Sequence, residues 1–230
     1  MMKSFIEREN EIFNVLNKFN DAELKYVLVG GYAVSAYMHR FSVDADICID
    51  KKDLPSFKGV LKNRNFQLIK RRDLDNAYKG EFECYAKKVE LPVTFDLMIG
   101  SIASRQTDAS VGFSQLFTNS VVKKITGIEK TVNARIPSKE MLIALKIHAA
   151  RLTDARDIVA LCKDINFDLV SKFTNIGNDK KLQNNLNTLI SYFKSENFKD
   201  SFKGVFSIEK LPSSNIENAV KLMERLKNSN

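Results

Sequence analysis

Two aspartates two positions apart, Asp44 and Asp46, follow a glycine pair, Gly30-Gly31. If they lie on a strand, alternation of side chains sends both carboxylates out of the same face. Glycine carries no Cβ, so Gly30 and Gly31 let the chain turn sharply and approach a ligand closely. A helix opening there offers unpaired N–H groups and partial positive charge, which suit a phosphate. A phosphate cradle followed by a carboxylate pair equips a chain for metal-assisted chemistry on a nucleotide. A third acid, Asp96, interrupts an otherwise apolar strand in which Val93, Phe95, Leu97 and Ile99 share one face. A carboxylate placed there is costly without a partner. Mg2+ or Mn2+, bound through carboxylate oxygens, would supply that partner without any histidine. In such chemistry two divalent ions about 3.5–4 Å apart clamp an in-line displacement at phosphorus.

These residues need elements to hold them. Residues 4–20 carry Phe5, Ile12, Phe13, Leu16 and Phe19 at near-helical spacing, which predicts an opening amphipathic helix. Residues 26–29 read as a buried strand, 31–39 as a short helix and 44–50 as the strand bearing Asp44 and Asp46. Asp53 is expected to cap a helix with Pro55 in its first turn, reaching about residue 64. A strand over 66–69, a charged loop over 70–80, and strands over 82–86 and 92–98 follow. Residues 100–110 read as a loop, and 121–125 with 131–136 as a hairpin around Gly127. Beyond Ile136-Pro137-Ser138 the pattern turns helical: Ser138 caps one helix, Asp154 caps a second, and 167–175, 180–196 and 214–228 are further candidates, with a connector around 204–215. The expected architecture is α+β: a small mixed sheet flanked by helices over residues 1–137, then a helical region over 138–230.

Composition narrows the setting. The 230 residues are 44% apolar and 28% charged, with a net charge of +8. No apolar run approaches the roughly 18–20 residues of a membrane span, and the N-terminal residues show no secretory pattern. Cys48, Cys84 and Cys162 are odd in number and set in apolar surroundings, which predicts free thiols in a reducing cytoplasm. Two histidines and no Cys-x-x-Cys spacing argue against zinc. Residues 51–72 hold eight Lys/Arg against one acid, Asp53, so the basic excess is local. It either steers a polyphosphate or nucleic acid or forms a solvated helix face and loop.

In the order Gly30-Gly31, Arg40, Ser42, Asp44, Asp46 and Asp96, the sequence resembles the polymerase-β-like nucleotidyltransferase superfamily. The minimal branch, with lincosamide-modifying enzymes and the toxins of abortive-infection toxin–antitoxin systems, is most similar. The resemblance extends into the helix bearing Lys146 and the segment Arg151–Asp157. It implies transfer of an NMP from an NTP to a hydroxyl or phosphate acceptor, with release of pyrophosphate. Asp44, Asp46 and Asp96 would ligate metal; Gly30, Gly31, Arg40, Ser42 and Lys146 would contact the nucleotide. RNA or tRNA, a small molecule and a protein side chain all stand as acceptors, and a cognate antitoxin as a partner. From the residues alone, Arg40 pairs with an acid of the site, binds a phosphate oxygen or lies on the surface. Lys146 reaches into the cleft or snorkels from a helix edge. Asp154 and Asp157 share a helix face, where a cap and a salt bridge to Arg151 or Arg156 account for them, while the resemblance keeps both as candidates for supporting the site from behind its ligands.

Two rival classes remain in view. One is a non-catalytic nucleotide- or partner-binding member of the same fold, against which all three carboxylates argue. The other is a plain basic RNA-binding domain, for which no helix-turn-helix, RNP or zinc-finger signature is present.

Overall fold

The computed structural model describes residues 2–73, 80–88 and 90–228. The chain forms two compact units, Met1–Ile102 with Val111–Pro137, and Ala103–Ser110 with Ser138–Asn230.

In the first unit, helix α1 (Met2–Asp21) buries Ile12, Phe13, Leu16 and Phe19 completely, at the spacing of one helix face. Then come β1 (Tyr26–Val29), α2 (Gly30–Ser35), β2 (Asp44–Ile49), a 3-10 turn (Lys51–Asp53) and α3 (Leu54–Asn63). The chain continues through β3 (Gln67–Asp73), β4 (Glu81–Lys87), β5 (Val93–Ile99), β6 (Ser101–Ser104) and β7 (Ala109–Gly112). It closes with α4 (Phe113–Thr118), β8 (Ser120–Thr126) and β9 (Thr131–Pro137). Five strands form a mixed sheet in the order β1-β2-β5-β4-β3. The β2–β5 pair is parallel and the other three pairs are antiparallel.

One face of this sheet is sealed by aromatic side chains. Phe19 of α1 meets Phe57 of α3 at 4.8 Å and Phe95 of β5 at 5.8 Å between ring centroids, edge-on. Phe66 meets Phe95 at 5.5 Å. Such rings bury large areas in favourable geometry. On β5 the core residues Val93, Phe95, Leu97 and Ile99 alternate with the partly exposed Thr94, Asp96 and Met98, so the period of two separates a closed face from an open one. The β8–β9 hairpin is tied to α1 through Glu9, whose carboxylate accepts the Ile128 N–H at 2.8 Å. A Cβ on Gly127 would lie 2.3 Å from that carboxylate, which is why the turn carries a glycine.

The second unit contains α5 (Lys139–Ala149), α6 (Leu152–Leu161), α7 (Phe167–Thr174), α8 (Asp179–Lys194), α9 (Phe198–Phe206) and α10 (Ser213–Asn228). Ser138 caps α5, its hydroxyl accepting the Met141 N–H at 3.3 Å. The carbonyls of Ile147 and His148 at the other end of α5 accept from the Asn185 amide, both at 3.0 Å, satisfying groups that a helix C-terminus leaves open. The segment 103–110 joins this unit through Thr107, whose hydroxyl lies 2.8 Å from His148 Nδ1 and whose carbonyl accepts the Asn178 N–H. Among the described residues, no helix is long and apolar enough to cross a membrane.

Several local expectations are corrected. Strand β3 runs on through Asp73, where a loop was expected; residues 74–79 of that expected loop lie outside the described residues. The segment read as a loop over 100–110 forms most of β6 and β7, and α4 follows it. Helix α2 stops at Ser35 instead of His39. Asp53 makes no side-chain cap for α3; Asp50 accepts the Lys52 N–H one turn earlier. Asp154 is the third residue of α6, and its carboxylate reaches back to the Arg151 N–H at 3.1 Å. The region read as a connector begins inside α9, whose Phe198, Phe202 and Phe206 are buried.

Candidate active site: three carboxylates at a glycine turn

Parallel pairing of β2 with β5 sets Asp46 directly beside Asp96 and Asp44 beside Thr94. Asp44 and Asp46 share a face because they are two apart, and register brings Asp96 to that same face. Asp44, Asp46 and Asp96 each offer a carboxylate oxygen within 4.8 Å of the others, and all three are partly exposed. Their donor set is oxygen only, which fits Mg2+ or Mn2+.

The glycine turn abuts this triad. Val29, the last residue of β1, pairs with Asp46. Gly30 follows with φ of +64°, the left-handed region that favours glycine, and a Cβ there would lie 2.0 Å from Asp46 Oδ2. At Gly31 a Cβ would lie 2.3 Å from the Ser42 hydroxyl and 2.9 Å from Arg40 Nη2. The turn therefore has no room for a side chain because the carboxylate, the hydroxyl and the guanidinium already fill it. Arg40 donates from Nη1 to the Phe41 carbonyl at 3.1 Å, and the Ser42 carbonyl accepts the Tyr32 hydroxyl at 3.3 Å. Gly30, Gly31, Arg40, Ser42, Asp44, Asp46 and Asp96 thus come together in one unit.

Electrostatics mark Asp96 as the strained member. Burial raises its pKa above the usual carboxylate range and the charge of Asp44 adds to that, while the Cys84 thiol and Lys70 work the other way. Cys84 sits opposite Asp96 on β4. Burial pushes its thiol up to about 12, reinforced by the hydrogen bond it donates to Asp96. A thiol held protonated leaves the triad an all-oxygen site.

Lys146 belongs to the second unit and does not snorkel. It is buried, with its ammonium 3.0 Å from Asp154 and 2.8 Å from Asp157. Burial opposes its charge, but Asp157 and Asp154 outweigh burial and hold its pKa above the ordinary lysine value. Arg151 adds a second cation to Asp154 at 2.7 Å. Asp157 pairs with Lys146, and Arg156 donates instead to the Ser201 hydroxyl.

Two neighbours of the triad, Cys84 and Lys70, carried no signal in the sequence. Their proximity depends on the β3–β4–β5 register, and β3 has an all-charged run, Lys70-Arg71-Arg72-Asp73, that lacks apolar alternation.

No protein-family model and no curated protein sequence matches the chain. Solved structures do. A crystal structure from H. pylori, provisionally described as a nucleotidyltransferase, is 15% identical with a TM-score of 0.53, covering 100% of this chain and 97% of the other. JHP933 from Helicobacter pylori is 16% identical with a TM-score of 0.52, covering 98% and 93%. At these identities the likeness is one of fold. A mixed sheet flanked by helices agrees with it: the chain shares the fold of these two structures.

Proposed function

We propose that the protein is a metal-dependent nucleotidyltransferase that moves an NMP from an NTP to an acceptor hydroxyl or phosphate. The observation that carries this reading is the gathering of three carboxylates within 4.8 Å beside a glycine turn closed to side chains. Asp44, Asp46 and Asp96 would together hold the divalent metal. Ions so bound supply charge neutralisation on the triphosphate and acidify the attacking hydroxyl. Gly30 and Gly31 offer backbone N–H groups at a surface where phosphate oxygens can come close. Arg40 and Ser42, packed against Gly31, present a cation and a hydroxyl to the same oxygens. The acceptor oxygen attacks the α-phosphorus, the bond to the bridging oxygen breaks, and pyrophosphate leaves as the acceptor proton is released. The basic balance of the chain favours an anionic acceptor, RNA or tRNA among them.

Incubation with Mg2+ or Mn2+, each α-labelled NTP and a total-RNA or lysate acceptor pool tests the proposal. Wild type should transfer label and Asp44→Ala/Asp46→Ala should not. Equal absence of transfer by both proteins with every NTP counts against an enzyme, and a metal-dependent thermal shift without transfer favours a nucleotide-binding module.

A further inference from the structure

We infer that the open sheet surface beyond Asp96 seats the acceptor, and that Lys70 and Arg72 bind a phosphate group carried next to its reacting hydroxyl. This assignment rests on the nucleotidyltransferase reading and names the acceptor side of that site.

The glycine turn fixes one flank of the triad. Gly30 packs on Asp46 and Gly31 on Arg40 and Ser42, so the triphosphate side is that of β1 and α2. Asp96 faces the other way along the sheet, toward β4 and β3. Register then lays out one continuous row: Asp46 beside Asp96, Asp96 opposite Cys84, and Cys84 opposite Lys70. A second row runs from Met98 to Phe82 to Arg72. Residues opposite one another share a face, so Lys70 and Arg72 lie on the same open face as the carboxylates. Arg71 points to the other face, where it meets Glu83 at 3.6 Å.

Spacing and charge suit a phosphate-bearing acceptor. Two strand separations of about 4.8 Å set β3 roughly 10 Å from β5, a distance the length of a lysine side chain shortens. Cys84, the residue between them, is buried and leaves no charged side chain in that row between Asp96 and Lys70. Phe82, partly exposed beside Arg72, offers an aromatic surface on the same track. Lys51, Lys58, Arg64 and Arg71 are tied to Glu81, Glu83 and Glu11. Lys70 and Arg72 are exposed and make no ion pair among the described residues. Two cations so placed attract a phosphate and repel a polycationic acceptor.

The test separates binding from chemistry. A 5′-fluorescein-labelled single-stranded 12-mer RNA is titrated by anisotropy in EDTA at several salt concentrations, with AMP and adenosine as competitors. The Mg–ATP thermal shift is measured in parallel on wild type and Lys70→Ala/Arg72→Ala. The double variant should bind the oligomer roughly tenfold or more weakly, with a salt slope shallower by about 1.4, as two lost single-strand contacts require. Its melting temperature and Mg–ATP shift should match wild type. AMP displacing the oligomer while adenosine does not supports a phosphorylated small acceptor; displacement by neither supports a nucleic-acid terminus. Wild-type affinity in the double variant, or displacement of the oligomer by adenosine as effectively as by AMP, overturns the assignment while leaving the nucleotidyltransferase reading intact. Absence of a Mg–ATP shift in wild type overturns that reading and this assignment with it.

Discussion

Replacing Asp96 by asparagine removes one of three negative charges whose ligand oxygens lie within 4.8 Å of one another. Two unit charges at that separation repel by about 3.5 kcal/mol at an effective dielectric of 20 and about 0.9 kcal/mol in bulk water. The three aspartates are partly exposed, so the repulsion lies between those limits. Lost attraction to Lys70 and the weakened Cys84 hydrogen bond offset some of the relief. In EDTA, Asp96→Asn should therefore stabilise the protein by about 1–2 kcal/mol, or roughly 2–8 °C for a chain of this size. With Mg2+ the order should reverse. A ligand at a hundred times its dissociation constant stabilises by about 2.7 kcal/mol, and the variant lacks one of the carboxylates that would hold it. Thermal melts of both proteins across a MgCl2 titration should cross, with the variant higher without metal and wild type higher with it. A variant no more stable than wild type in EDTA, with the same Mg2+ response, refutes the view that these carboxylates repel one another and share a cation.

Gly30→Ala should lower label transfer and the Mg2+-dependent shift at least tenfold, because its Cβ would meet Asp46 Oδ2 at 2.0 Å. Its cost to the metal-free fold should be only about 1–2 kcal/mol, the strain of a left-handed alanine; a normal Mg2+ titration of this variant would show that the close approach is irrelevant. Lys146→Met should destabilise the protein by about 3–5 kcal/mol by leaving Asp154 and Asp157 buried without their shared cation. A selective loss of NTP affinity at unchanged melting temperature would instead make Lys146 a nucleotide ligand. Burial lowers the pKa of His148 to about 4. An unfolded chain takes up that proton near pH 6.5, so stability should fall as pH drops from about 6.5 toward 4, by up to about 3 kcal/mol. Urea denaturation at stepped pH should show this limb and His148→Gln should flatten it; an identical limb in the variant would assign it to other groups.

The parts of the fold that the sequence revealed are those with a period. The first helix, β2 and β5 repeat apolar residues at 3.6 or 2, β1 is a short apolar run ended by glycines, and Asp96 stood out as an acid within an otherwise apolar strand. Strand β3 stayed hidden beyond residue 69 because its alternation is charge against charge: Arg71 pairs with Glu81 and Glu83, and Lys70 and Arg72 occupy the opposite face. The bulge between Leu68 and Lys70 further breaks its period. Lys146 shows another limit. A lone cation on an apolar helix reads as a ligand or a snorkel, because its partners are eight and eleven residues away on the next helix. Helix α9 was missed because Gly204 sits within it, although Phe198, Phe202 and Phe206 mark its buried face.

The local basic excess and the acidic site are compatible because one sheet separates them by face and by strand. On the closed face, Glu83 is fully buried yet bonded to Lys58 at 2.8 Å and to the Tyr85 hydroxyl at 2.6 Å, with Arg71 close by. Buried acids there have their own cations, so that face adds little unbalanced charge to the site. On the open face the acids gather on β2 and β5 and the bases on the edge strand β3, with Cys84, Phe82 and Ala86 of β4 between. If Lys70 and Arg72 lay directly beside Asp96 they would neutralise it and compete with a divalent cation. One intervening strand prevents that pairing yet keeps the cations within reach of an acceptor whose hydroxyl sits at Asp96. Strand order, beyond composition, is therefore what allows a chain of net charge +8 to gather three carboxylates within 4.8 Å of one another.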